Sequence, residues 1–354
     1  MQNTVYLNHS PNEKWHKKGI ELYLENAEPI DVILAGEIYN AREICDILMV
    51  DYISPEHTIK SVYEAYGIEE TVRILDGNYT FVLIDHNNLS DTAVYIARDI
   101  IGIYPIYIHT IPIGHAANIL MNPPTNQPFI LKRLDIIDGI NQDNLYDRFV
   151  ISSQQVVEGA ITRTCNQGSY SHFSLPFCVN AKWKWEGETR ISALAIMPLV
   201  SNTVPLFDYY SRTLQQIFEQ SVEKRIRYAD IVVCIANDSY GTYMAKIARE
   251  LCVLSNREFI LMTDAASVDP SYEKNTVTLH TGNIENLFHS AGMNPIVENR
   301  VLRNHIENHN LYDILRKGDR GLQYPYWDII WIQFYMTMPA KYRDSMKEIF
   351  LVEE

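Results

Sequence analysis

Several things that define whole classes of protein are scarce in this chain. Cysteine is the first: Cys45, Cys165, Cys178, Cys234 and Cys252 are odd in number, widely spaced and form no Cys-x-x-Cys. That pattern argues against a disulfide framework or a zinc site, and leaves reduced, mostly buried thiols in a cytosol-like compartment as the expectation. Long apolar runs are the second. The longest stretches, such as Ile329–Met338, are broken by polar residues and fall short of the ~20 residues a membrane span needs. Cations are the third: 30 Lys and Arg face 44 Asp and Glu, a formal net charge of −14. A nucleic-acid binder needs a basic face, so this balance points to an acidic solvated surface instead. The start, Met1-Gln2-Asn3-Thr4, has no basic segment leading into an apolar one, so no signal peptide is expected and a cytoplasmic location is. There is no Gly-rich phosphate loop, no Gly-x-Ser-x-Gly elbow and no HExxH. His305 and His309 are four apart and share a helix face at most, without a third ligand.

What is present suits a folded protein. The 354 residues are 47% hydrophobic and 21% charged, a globular composition long enough to bury a core without staples. At roughly 100–200 residues per domain the length suggests two. A change of character near residue 195 places them at 1–195 and 196–354, with Met197–Pro205 as linker. The abundance of tyrosine (23 residues), Ile and Asn hints at an AT-rich, viral-type coding bias.

The first half reads as sheet-rich. Ile30, Val32 and Leu34 alternate through a strand, Pro29–Gly36. Asn40–Met49 and Glu56–Leu75 read as helices, the second broken at Gly67, with a turn at Asp76-Gly77. Tyr79–Asp85 and Ala93–Arg98 read as a hairpin, and Tyr104–Ile108 as a further strand. The second half begins with an amphipathic helix, Phe207–Arg227, carrying Tyr210, Leu214, Ile217, Phe218 and Val222 on one face. Ile231–Ile235 is a continuous apolar run of the kind found in buried parallel strands. A turn, a helix over Tyr240–Leu251, and strands at Glu258–Met262 and Thr276–Leu279 follow. That alternation predicts an open parallel α/β sheet.

Three segments carry a family resemblance. Ala35-Gly36-Glu37-Ile38-Tyr39-Asn40 resembles the Asn-Gly-Glu-Ile-Tyr-Asn signature of the glutamine-hydrolysing asparagine synthetases. Leu75–Asp85 is similar to the strand that follows it. Arg98-Asp99 through Gly102 to Pro105-Ile106-Tyr107 is similar to the family's Gly-Arg-Asp-x-x-Gly-x-x-Pro-Leu-Tyr element. Order and spacing agree over about 70 residues. Gly168-Ser169-Tyr170 resembles the element that closes that domain. More faintly, Leu311–Asp313, Asp319-Arg320 and Tyr324-Pro325-Tyr326-Trp327-Asp328 resemble the synthetase half. The resemblance implies an αββα N-terminal-nucleophile-hydrolase-like sandwich, a class II glutamine amidotransferase domain. A doubly wound parallel α/β domain of the adenine-nucleotide-hydrolase type is implied after it.

This sequence departs from the chemistry implied by that family at its key positions. Its amidotransferase uses a cysteine at position 2, whose freed α-amine serves as base; here position 2 is Gln2. The Asn that opens its signature is an oxyanion donor, whose loss costs on the order of 10²–10³ in rate; here it is Ala35. Its substrate-gripping Asp falls at Pro55. Gly36, Glu37 and Tyr39 are retained and read as a turn glycine and its packing partners. Cys45 reads as a packed helix residue. The family's Ser-Gly-Gly-x-Asp-Ser pyrophosphate loop falls at Cys234-Ile235-Ala236-Asn237-Asp238-Ser239, where both glycines are replaced. A side chain there obstructs the close backbone approach of a phosphate, and a helix N-cap accounts for Asp238 and Ser239 without a ligand. The acidic magnesium-binding element has no counterpart, and Lys347 is the only late lysine in a comparable place. The expectation is a catalytically degenerate homologue with a structural or protein-interaction role, as a homo-oligomer or with protein partners, in host cytoplasm or a virus particle. No cofactor, metal, nucleic acid or membrane is expected. Two alternatives stand beside it: an ammonia-using, ATP- and magnesium-dependent amide ligase, and a non-catalytic nucleotide or amino-acid binding module.

Overall fold

A computed structural model describes residues 5–7, 29–87, 91–104, 106–112, 134–140, 146–152, 161–176, 184–190, 206–263, 275–282, 322–338 and 342–343. The chain divides into two compact units, Met1–Ala193 and Leu194–Glu354. Helices accompany antiparallel and parallel sheets, so the fold is mixed α/β.

The first unit holds two five-stranded sheets. One contains β2 (Ile30–Ile38), β3 (Gly77–Asp85), β4 (Asp91–Arg98), β9 (Ser169–Pro176) and β10 (Lys184–Arg190). Its order is β10-β9-β4-β3-β2, with every neighbouring pair antiparallel. The other contains β1 (Val5–Leu7), β5 (Tyr107–Pro112), β6 (Leu134–Ile140), β7 (Tyr146–Ser152) and β8 (Ile161–Thr164), in the order β1-β6-β7-β5-β8. Helices α1 (Ala41–Leu48) and α2 (Pro55–Ile74) cover one face of the first sheet. Alternation does the sorting: Tyr79, Phe81 and Leu83 pack with Ile44, Ile59 and Val62 of the helices, while Thr80, Val82 and Ile84 are buried on the opposite face. A strand buried on both sides needs near-continuous apolar sequence, and β3 has it. Each such side chain contributes about 1.5–3 kcal/mol of burial. Two antiparallel-rich sheets with helices on a face of one are consistent with the sandwich that the resemblance implies.

Two details differ from the sequence reading. Gly77 opens β3 rather than forming a turn, and the strand expected at Tyr104–Ile108 starts only at Tyr107. The Tyr104 carbonyl accepts from Thr80 Oγ1 at 2.6 Å and from Arg98 Nε at 3.1 Å, so side chains rather than a strand neighbour hold it.

The second unit is built on a parallel sheet of β11 (Ile231–Ile235), β12 (Glu258–Met262), β13 (Thr276–Leu279) and β14 (Leu322–Gln323). Its order is β12-β11-β13-β14. Helix α3 (Leu206–Ile226) buries Tyr210, Leu214, Phe218 and Val222. Helix α4 (Ser239–Leu254) crosses from β11 to β12, and α5 (Ile329–Thr337) packs on α3. Aromatic rings fill this core: Phe218 stacks on Tyr326 at 4.2 Å, and Trp331 lies 5.5 Å from Tyr326 and 5.4 Å from Tyr335. Among the described residues no helix is long and apolar enough to cross a membrane. The linker Met197–Pro205, the histidines His305 and His309, Leu311–Asp313, Asp319-Arg320, Lys347, Cys178 and Gln2 lie outside the described residues.

Candidate functional site

The signature strand β2 brings Ala35, Gly36 and Glu37 opposite Thr80, Tyr79 and Asn78 of β3. Ala35 is 4% exposed and offers no side-chain donor. Gly36 is not a turn glycine: it lies inside β2 with φ +101°. A Cβ there would stand 2.7 Å from the Tyr104 ring and closer still to the Asn78 carbonyl oxygen. Only glycine fits that backbone and that space. Glu37 is not a packing partner either. Its side chain is exposed, yet protein surrounds it closely enough that burial, then the nearby Glu56, push its pKa up to about 7.

The remainder of the signature is a staple. Tyr39 N–H donates to the Asp76 carbonyl at 2.7 Å, and its hydroxyl to Asn78 Oδ1 at 2.7 Å. Asn40 donates to the Ile74 carbonyl at 2.8 Å and accepts from Asp76 N–H at 2.9 Å. The end of β2 is thus tied to the α2–β3 connection. Pro55 occupies the first turn of α2, where its missing N–H costs nothing. Ser54 caps that helix, accepting from His57 N–H at 3.2 Å. Cys45 is fully buried with its Sγ 3.3 Å from Thr58 Oγ1.

The Arg98-Asp99 element, quoted above for its resemblance alone, is a buried latch. Asp99 accepts from Tyr79 N–H at 3.0 Å and from Ile101 and Gly102 N–H at 2.8 Å each. Arg98 donates to the carbonyls of Tyr104, Cys165 and Gly102. Burial raises the Asp99 pKa to about 6, against the lowering effect of Gly102 N–H, Arg98, Tyr79 and Ile101. Burial also pushes the Cys165 thiol up to about 12, which keeps it unreactive.

In the second unit, residues 236–239 follow β11 where the strand order reverses between β12 and β13. In open parallel sheets that is where ligands bind. Cys234 and Ile235 are fully buried, Ala236 and Ser239 half-buried and Asn237 exposed. Asp238 caps α4, its Oδ1 accepting from Gly241 N–H at 2.6 Å. Its Oδ2 accepts from Thr281 Oγ1 at 3.3 Å. Both carboxylate oxygens therefore have protein partners. Burial pushes the Cys234 thiol up to about 12. His280 is held low by burial, against the pull of Asp238, and its Nδ1 accepts from Gly282 N–H at 2.9 Å. Among the described residues no group of three or more His, Cys, Asp or Glu is placed to hold a metal ion.

Sequence reading gave no structural role to the second unit's charged centre. Asp328 is 3% exposed, with Lys224 Nζ at 2.5 Å and Arg225 Nη1 at 3.1 Å from its Oδ2. Its Oδ1 accepts from Ile330 N–H at 2.9 Å, capping α5. Burial alone would raise its pKa, but Arg225 and Lys224 outweigh it and hold the carboxyl low. The partners lie 103 residues apart in sequence, so only the fold reveals the cluster.

Comparison with known proteins agrees with the first unit's architecture. Residues 20–118 match the glutamine amidotransferase domain family. The chain is 38% identical over 96 residues to a glutamine-hydrolysing asparagine synthetase of Sandersonia aurantiaca, covering 25% of this chain and 16% of that protein. It is 41% identical over 90 residues to the asparagine synthetase of Zea mays, covering 25% and 14%, and 34% identical over 74 residues to that of Gallus gallus, covering 20% and 13%. The first unit therefore carries an asparagine synthetase-like glutamine amidotransferase domain, while the chain spans less than a fifth of the length of these relatives.

Proposed function

We propose that this protein is a catalytically silent homologue of the amidotransferase it resembles, kept for a structural or protein-interaction role. The observation that carries the reading is Ala35. It is buried in β2 directly before Gly36, at the position where the resemblance requires an oxyanion donor, and its methyl group donates nothing. Pro55 supports the same reading, since a helix-starting proline stands where the family grips substrate with a carboxylate. The residues that are kept have structural work: Gly36 makes room for Tyr104, and Tyr39 and Asn40 staple the α2–β3 connection.

The test is a glutaminase assay on the full chain, reading glutamate and ammonia release. No turnover above a buffer blank is expected; turnover that responds to substitution of Glu37 or Tyr39 would overturn the reading.

A second reading, a non-catalytic nucleotide or amino-acid binding module in the second unit, is favoured by the place of residues 236–239 at the strand-order reversal. The engaged carboxylate of Asp238 weighs against a magnesium-nucleotide there. Calorimetric titration with ATP and magnesium separates the two: heat of binding without pyrophosphate release supports the module, and release of pyrophosphate with aspartate and ammonia supports a ligase.

A further inference from the structure

The connection between α1 and α2 is an exposed apolar segment with an acidic rim. Within seven consecutive residues, Ile47 is 75% exposed, Met49 93%, Val50 39%, Tyr52 37% and Ile53 71%. Isolated exposed apolar residues are ordinary; five within seven residues are a concentration of the kind that marks an interaction site. The segment is held rather than loose. Met49 N–H donates to the Asp46 carbonyl at 3.2 Å, and Val50 N–H to the Cys45 carbonyl at 3.0 Å. Met49 closes α1 with φ +56°, a left-handed conformation usually given to glycine at a helix end. A side chain in that conformation costs about 1 kcal/mol, and here the strained residue is also the most exposed large apolar one among the described residues. The cap ends α1, but the exposed Met49 side chain adds nothing to the core of this unit.

The charge around the patch selects among occupants. Residues 41–56 contain Glu43, Asp46, Asp51 and Glu56 against one base, Arg42. The Arg42 guanidinium lies 4.8 Å from the centre of the Tyr52 ring. Glu56 lies close enough to act on Tyr52. Two copies of such a patch, on chains that each carry −14, would bring like charges together around their apolar centres. An anionic membrane is disfavoured for the same reason. A polypeptide with apolar anchors flanked by Lys or Arg is complementary on both counts.

We propose that Ile47–Ile53, with the acidic Asp46, Asp51 and Glu56 beside it, is a docking surface for a basic amphipathic segment of another protein. This rests on the interaction role proposed above and supplies the chemistry of the partner. The test uses the full chain and two synthetic helical peptides of identical leucine pattern, one with lysine and one with glutamate at its polar positions. Their binding is read by fluorescence anisotropy to the native chain and to an Ile47→Ser, Ile53→Ser double variant. Both substituted side chains are exposed, so the variant is expected to keep the native melting temperature. Hydrogen exchange of residues 47–53 in the native chain gives a second readout that needs no variant.

The lysine peptide is expected to bind the native chain at least about tenfold more tightly than its glutamate twin. The double variant should lose about tenfold in affinity, and the bound peptide should slow exchange at residues 47–53. Equal affinity of the lysine peptide for native and variant chains would overturn the proposal, because binding would then lie elsewhere on the acidic surface. Equal binding of the two peptides, no binding of either, or a dimer in sedimentation that the double variant abolishes would overturn it as well. These outcomes are independent of the glutaminase assay, so failure of the docking surface is distinguishable from failure of the silent-enzyme reading.

Discussion

The two units treat the glycines of their resemblance in opposite ways. In the first, Gly36 is kept although Ala35 beside it has changed. In the second, Ile235 and Ala236 stand where the resembled loop has two glycines. The backbone explains the difference. Gly36 has φ +101°, and a Cβ would collide with Tyr104 and Asn78. Among the described residues only Met49 and Asn256 adopt positive φ without being glycine, so Ile235 and Ala236 have conformations any residue accepts. Ile235 has joined the core and Ala236 N–H donates to the Met262 carbonyl at 2.8 Å. On the reading proposed above, a glycine required by packing is kept, while one required only by a ligand is free to change.

The largest effect that bears on this contrast lies in the second unit's charged centre. Asp328→Ala leaves Arg225 buried without its carboxylate, and breaking such a pair costs about 3–5 kcal/mol. Urea denaturation followed by tryptophan fluorescence should show it, since Trp327 and Trp331 are buried beside it. A loss below 1 kcal/mol would mean that this cluster does not organise the unit. Gly36→Ala should cost about 3 kcal/mol, from strain and overpacking together. The reciprocal change, Ala236→Gly, should cost no more than about 1 kcal/mol. Equal effects for these two substitutions would remove the distinction between packing and ligand glycines.

A smaller effect separates the units by pH. Asp99 is raised to about 6 and Glu37 to about 7. Their contributions to stability are fully present below the ordinary carboxylate range and are lost as pH rises through those values. Asp328 is lowered, so its contribution is present above the ordinary range and lost as pH falls through its depressed value. Between pH 7 and about 5 the first unit should gain stability while the Asp328 contribution holds. Hydrogen exchange at Phe81 and Val233, corrected for intrinsic rates, reports the two cores separately. Asp99→Asn should flatten much of the first unit's response.

Legibility in the sequence followed the same physical division. β11 was readable to the residue because a buried parallel strand is a continuous apolar run; β12 was equally readable from its run Phe259–Met262, although it is an edge strand with no fully buried residue. The kink in α2 was readable from Gly67, which has φ 77°. β9 was not, because Ser169, Ser171, His172 and Ser174 interrupt its apolar pattern. Its place between β4 and β10 comes from strand pairing rather than hydrophobic alternation. Of the candidate site, the residue types at Ala35 and Pro55 were readable at once. The collision around Gly36, the crowding and Glu56 charge that raise Glu37, and the double engagement of Asp238 needed partners brought from distant segments. Asn78, Tyr104, Glu56 and Thr281 have no periodic relation to the residues they meet.

The most direct test of the central claim is glutamine hydrolysis by the 354-residue chain, measured as glutamate formed per chain with Ala35→Asn alongside. The account predicts no turnover in either protein above the blank. Hydrolysis by the native chain, abolished by substitution of Glu37, would contradict it.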